Sequence, residues 1–158
     1  MFKLEVDFKG LIPAISKLEA LSLYSGHILI ETLARDIQSQ TRERIANTHT
    51  GPDGEKWPVR KEDGKPALFR TGHNLFDTID YQVSGHRAEI GTGFKGALAH
   101  QFGAVIVPKN GKALVFNFGG KTVFTKKVTL PARPFMGLSA ANIADLHEVA
   151  AETIGALL

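Results

Sequence analysis

The residues with the most chemical potential are a glycine run, six histidines and a pair of aspartates. Gly91-Thr92-Gly93-Phe94-Lys95-Gly96 fits G-x-G-x-x-G, and it follows a strand pattern and precedes a helical one. In a dinucleotide site such glycines let the backbone approach a pyrophosphate, and an acid about 20 residues later binds the ribose. Here the next acid after Glu89 is Asp145, and the preceding strand reads as half of a hairpin rather than part of a βαβ unit. The run is expected to be a strand-to-helix turn, and it implies no cofactor.

His27, His49, His73, His86, His100 and His147 are scattered. No two have the i,i+4 spacing that places two ligands on one helix face, so no metal residue is assigned. His73 and Asp77 do have that spacing, but one pair is not a site. Asp77 and Asp80 lie three apart and could act as paired carboxylates. Such a pair is more often the wet side of a short helix. Ser84 and Ser139 lack a nucleophile-elbow context. A small hydrolytic enzyme is therefore the least favoured reading, and no catalytic residue is assigned.

A basic segment is the stronger rival. Lys121, Lys126 and Lys127 stand beside Phe116, Phe118 and Phe124. Lysines interleaved with aromatics can hold phosphates and stack bases, as in a basic nucleic-acid-binding module. Against this, Phe116 and Phe118 alternate with Leu114 on one face, the usual pattern of core burial. Lysines on strands also guard open edges. Direct DNA contact is kept as an alternative rather than the favoured reading.

The elements that position these residues can be read from periodicity. Phe2, Leu4, Val6 and Phe8 alternate with charges, as in a half-buried strand. Leu11 to Leu21 have helical spacing, with Pro13 tolerable in the first turn. A second, longer helix is expected from about Ser25 to Ile45. Its apolar stripe is Ile30, Leu33, Ala34, Ile37, Thr41 and Ile45, with Glu31 and Arg35 paired on the wet side. A flexible loop spans about 47–66, rich in turn signals and holding Trp57. A short helix follows Thr71-Gly72, burying Leu75, Phe76 and Ile79.

From Tyr81 the pattern becomes β. Strands on either side of Gly85-His86 form a hairpin. A helix around Lys95 to Phe102 stops at Gly103. A strand at Ala104 to Val107 precedes a turn at Pro108 to Lys112. Leu114 to Phe118, Gly119-Gly120 and Val123 to Leu130 make a second hairpin. Pro131 to Pro134 breaks the sheet. Ser139 caps a last helix whose expected stripe is Ile143, Leu146, Ala150, Ile154 and Leu157. The order predicts one α+β domain over residues 1–158, with a mostly antiparallel sheet packed by a long N-terminal and a C-terminal helix.

Bulk properties agree. A chain of 158 residues, 43% hydrophobic and 22% charged, can bury a core. There is no cysteine, so neither disulfide nor thiolate chemistry is open to it. The first ten residues lack the unbroken apolar core of a signal peptide. No run approaches the roughly 20 apolar residues that span a bilayer, so no membrane partner is expected. The net charge of +3 is unevenly laid out. Residues 1–89 are nearly balanced, with 12 Lys/Arg against 13 Asp/Glu. Residues 90–144 hold seven Lys/Arg and no acid, whereas 145–158 hold three acids and no Lys/Arg. The acid-free stretch offers no carboxylate for catalysis and presents a positive field to a partner.

Several segments resemble the tail-completion, or virion morphogenesis, proteins of tailed bacteriophages, including Mu-like and P2-like contractile-tailed phages. Trp57-Pro58 matches a loop tryptophan of that family. Leu68-Phe69-Arg70-Thr71-Gly72-His73-Asn74-Leu75 with Thr78-Ile79 resembles its L-x-x-T-G-x-L-x-x-S/T-I stretch. Glu89-Ile90-Gly91-Thr92 is similar to its I-G-T strand end. Ala99-His100-Gln101-Phe102-Gly103 looks like its H-Q-F-G motif. Pro131-Ala132-Arg133-Pro134-Phe135-Met136-Gly137 resembles P-A-R-P-F-L-G, with Met136 at the usual leucine. Together these cover about 57–140.

The resemblance implies a virion component that completes the tail end or neck and helps join head to tail. It would be made in the bacterial host cytoplasm and partnered by other tail, neck or connector proteins. It also implies a ring, possibly a hexamer, built from subunits that can be monomers in isolation. A closed ring needs heterologous contacts between different patches. Candidate interface residues are Arg133, Phe135, Lys121, Lys126, Lys127 and Trp57. Gly72, Gly91, His100, Gln101, Gly103, Pro131 and Pro134 are expected to shape the fold. Gly103 suits a helix end at positive φ. His100 and Gln101 can satisfy backbone groups there. Pro131 and Pro134 hold Arg133 extended, where it can meet a carboxylate within the domain or on a neighbour.

Overall fold

The computed structural model describes residues 12–61, 63–69, 75–85 and 87–157, with side chains from residue 26 to residue 156. The strand expected at Phe2 to Phe8 lies outside the described residues.

Helix α1 runs unbroken from Ile12 to Glu43, so the two helices expected here are one. Serines and Gly26 weaken a helix by about 1 kcal/mol at most each, but only proline removes its hydrogen bond and clashes. The expected stripe faces inward: Ala34, Thr41 and Ile45 are buried, and Ile30, Leu33 and Ile37 are half-buried. Arg35 donates to Glu31 at 3.0 Å on the opposite side. A wider turn, Arg44–Thr48, ends α1 on His49, whose φ of 54° is left-handed. That turn carries Arg44 and Ile45 into the interior.

The 47–66 segment is tied by backbone bonds. Thr50 bridges Lys56, Trp57 N donates to His49 O, and Arg60 N donates to Lys65 O. Residues 75–78 are turns, not the expected helix, and Ile79 opens a strand. β1 (Ile79–Ser84) pairs antiparallel with β2 (Arg87–Thr92), as expected around Gly85. α2 (Ala97–Phe102) follows, then β3 (Ala104–Ile106), β4 (Leu114–Phe118), β5 (Lys121–Thr125) and β6 (Val128–Leu130). α3 (Ala140–Leu157) closes the chain.

The α+β class holds, but the described strands form three two-stranded antiparallel ribbons rather than one sheet. β4 and β5 are joined by Gly119-Gly120, both at positive φ. Positive φ at both positions suits the tight turn that matches strand twist. β3 and β6 flank this hairpin in sequence and pair with each other. Residues 104–130 therefore make a two-step ribbon, called the arm below.

α3 packs on α1, and α1 also packs on β1 and β2. Ser139 caps α3 by accepting from Asn142 N at 3.1 Å, while the Asn142 side chain accepts from Ser139 N. The stripe of α3 is rotated from the expected one. Leu146, Val149, Ala150 and Thr153 turn toward α1, whereas Ile143 and Ile154 are exposed. Alanines around most of this helix give periodicity little to choose between. The core cluster is Ile45, Trp57, Leu75, Ile79 and Phe135, with Phe76, Ile90, Phe94 and Met136 packed against it.

Candidate functional site

Two regions carry the sequence-predicted residues, and they have opposite characters. The first is buried around Pro131 to Gly137. Phe135 is 1% exposed, Arg133 6% and Trp57 7%. These three interface candidates are thus internal to the subunit. They form one constellation with residues far apart in sequence. Trp57 Nε1 donates to Pro134 O at 3.1 Å. Arg44 donates to Phe135 O at 3.1 Å and to Asn142 Oδ1 at 2.6 Å. Gln101 Nε2 donates to Met136 O at 2.9 Å, and its Oε1 accepts from Phe135 N and Met136 N. Arg133 N donates to His100 O at 2.7 Å, and its Nε donates to Pro58 O at 2.9 Å. The described partner of the Arg133 side chain is thus a carbonyl, where a carboxylate was expected.

The prolines explain this arrangement. Pro131 and Pro134 fix φ and keep the segment extended, so its carbonyls and N–H groups find no partner in a helix or ladder. Buried backbone groups must be satisfied, and long side chains reach in to do so. Burial pulls the pKa of both Arg44 and Arg133 down, with Asp53 partly countering the effect at Arg44. Both still ionise as donors at any ordinary pH. Gly103 meets the segment from the other side. Its φ is +75°, and a Cβ there would stand 3.0 Å from Ala132 N and Leu130 O. His100 stacks on Phe94 with ring centroids 6.0 Å apart. Arg44 was not singled out from the sequence, because its partners are remote in the chain.

Gly91 sits in β2 opposite Asp80, and Gly72 lies outside the described residues. Because β2 is antiparallel to β1, the G-x-G-x-x-G run lacks the parallel frame of a dinucleotide site. It forms the expected turn, held by Phe94 N donating to Thr92 Oγ1. Asp80 accepts from Tyr81 N at 2.9 Å and lies beside Gln38. Among the described residues no three His, Asp or Glu side chains gather as metal ligands. No described helix is long and apolar enough to cross a membrane.

The second region is the arm with the adjoining helix α2, and it is exposed. Nine of the fourteen exposed large apolar side chains described lie between Leu98 and Phe124. Leu98 and Phe102 stand out from α2, and Val105, Ile106 and Val107 from β3 and its end. Val115 and Phe124 face each other across one side of β4–β5, at 58% and 70% exposure. Phe116 and Phe118 line the other side and are also exposed, which corrects the expectation that they belong to the core. Alternation marks a shared face but does not reveal whether anything covers it. Among the described elements, β4 and β5 make substantial contact with each other alone. Lys109, Lys112, Lys121, Lys126 and Lys127 are all exposed on this arm. Of the interface candidates, only Lys121, Lys126 and Lys127 are therefore displayed to a partner.

A two-stranded ribbon in water is marginal by itself. Contiguous apolar surface of this kind marks an interaction site more often than a monomer's finished exterior. The Pro131–Gly137 knot follows directly on β6, the last strand of the arm. A family model described as the phage virion morphogenesis family matches residues 6–155. Neither a curated protein nor a solved structure matches the chain significantly.

Proposed function

The chain belongs to the phage virion morphogenesis family, and on that premise we propose that it completes the tail end or neck and helps join head to tail, as a ring of copies. The family role is structural and virion-associated. The observation that carries the finer reading is the exposed arm, whose apolar side chains need a protein surface to cover them. A component that caps a tail must present one surface to its own copies and others to tail, neck or connector proteins. The knot around Phe135 supplies rigidity, and the arm and α3 supply different exposed patches. Heterologous patches of this sort generate rings when the rotation closes.

Deleting the gene in the parent phage tests the role. The expected result is filled heads and unjoined or unfinished tails, rescued by the chain supplied in trans. Normal yields of infectious tailed particles from the deletion contradict it.

The interleaving of Phe116, Phe118 and Phe124 with exposed lysines favours a second reading, direct contact with nucleic acid. It predicts DNA affinity that falls steeply with salt. A salt-independent or undetectable affinity removes it.

A further inference from the structure

We infer that the arm of one copy docks on the exposed acidic face of α3 of a second copy. This deepens the ring reading and rests on it for its setting. The arm carries five lysines and no acid, and its Val115–Phe124 pair lies on one side of β4–β5. On α3, Asp145, Glu148 and Glu152 are exposed, with no Lys or Arg anywhere in the helix. The rest of the exposed face of α3 is small or apolar, with Ala144 and Ala151 next to the acids and Ile143 and Ile154 farther round. Helical spacing places Ile143 and Ile154 on one line at one edge of the exposed face and the acids at the opposite edge, with Ala144 and Ala151 between them.

Each surface supplies what the other lacks. Among the described residues no acid pairs with an arm lysine, and no base pairs with an α3 acid. Burial, and after it the Asp145 charge, push the Asp36 carboxyl on α1 above its ordinary range. Branched Val105, Ile106, Val107 and Val115 fit a helix surface of alanines and isoleucines, and they offer nothing for base stacking. The phenylalanines of the arm could serve either partner, and the acids of α3, opposite in charge to the arm lysines, favour a second copy over a nucleic acid. The contact is heterologous, because arm and α3 are different patches.

The native chain has no cysteine, so single cysteines report the contact cleanly. Full-length Phe124→Cys and Ala151→Cys chains, both reduced, are exposed to a mild oxidant such as oxidised glutathione, each alone and as a mixture. The mixture is expected to give a disulfide-linked dimer, and each variant alone is expected to remain monomeric. Adding Lys126→Glu and Lys127→Glu to the Phe124→Cys chain should lower the dimer yield at least about tenfold. Adding Glu148→Lys and Glu152→Lys to the Ala151→Cys chain should then restore it.

No dimer from the mixture overturns the inference, as does Phe124→Cys linking to itself. So does a dimer unaffected by the charge reversals, or salt-sensitive DNA binding through the arm without any dimer. Both positions are exposed, so loss of folding is not the expected cause of a negative result, and circular dichroism of each variant checks this. The outcome is separable from the gene-deletion test. A tail role can operate without this contact, and the contact can form in a protein with no tail role.

Discussion

The side-chain amide of Gln101 holds the peptide groups of Met136 from both sides. Nε2 donates to the Met136 carbonyl at 2.9 Å, and Oε1 accepts from its N–H at 3.1 Å and from Phe135 N–H at 3.0 Å. Gln101→Ala would leave three backbone groups of a partly buried segment without partners. The expected loss of stability is about 1–3 kcal/mol, read as a lower urea midpoint with an unchanged slope. An unshifted midpoint would mean that water replaces the amide without cost.

Gly103 predicts a sharper contrast. Gly103→Ala places a Cβ 3.0 Å from two backbone atoms at φ +75°, whereas Gly85→Ala, at φ +58°, meets nothing within 4 Å. Left-handed φ costs each variant about 1 kcal/mol, and the close approach adds to it only at Gly103. Thermal melts should rank Gly103→Ala clearly below Gly85→Ala. Equal melting temperatures would show that α2 can shift off the Pro131–Gly137 segment.

Phe135, an interface candidate that lies in the core, and Phe124, on the exposed arm, should behave oppositely. Phe135→Ala empties a core position and should cost about 3–5 kcal/mol. Phe124→Ser alters a side chain that is 70% exposed and should change stability by less than about 0.5 kcal/mol. Denaturant titration of both variants checks this. A large loss at Phe124 would mean that the hairpin is buttressed within the subunit.

Stability should also depend on pH through His100. Burial and the nearby Arg133 charge lower its pKa from the ordinary 6.5. The unfolded chain therefore binds a proton first as pH falls through about 6.5, and stability declines from there toward the folded-state pKa. Above 6.5 the group contributes no slope. One proton sets a ceiling of about 1.4 kcal/mol per pH unit, and partial solvent access keeps the effect below it. His100→Gln should flatten this window. Asp36 acts with the opposite sign, because burial and Asp145 raise its pKa above 3.8. Its protonated form favours the fold, so its contribution is lost as pH rises through that raised value. A His100→Gln chain with an unchanged profile between pH 5 and 7 would assign the slope to other groups.

Much of this fold was legible where the signal is local. Gly85 and Gly119-Gly120 mark tight hairpin turns because positive φ is a property of the residue itself. Ser139 marks a helix start because its hydroxyl reaches Asn142 N three residues on. The α1 stripe was legible because large apolar residues recur at helical spacing. The α3 stripe was not, because alanine at many positions blurs the pattern. Phe116 and Phe118 alternate as core residues do, yet they are exposed. Periodicity fixes which residues share a face, and burial depends on which element arrives opposite. The knot of Arg44, Trp57, Gln101 and Phe135 spans 91 residues from Arg44 to Phe135. Nothing local could join Arg44 to the others. Trp57, Gln101 and Phe135 fell within family-like motifs, but their burial and mutual bonds required the fold.

In the proposed role, the exposed arm is the assembly surface of a virion morphogenesis protein. The most direct measurement supplies the gene-deleted phage with a Val115→Ser, Phe124→Ser chain, and counts particles by electron microscopy and plaque assay. The variant should fold like the native chain, since both positions are exposed. The expected result is heads and tails that fail to join or finish, with infectious titre reduced by at least about tenfold, the factor that follows from losing about 1.4 kcal/mol of contact. Joined, infectious particles at the native titre would contradict it.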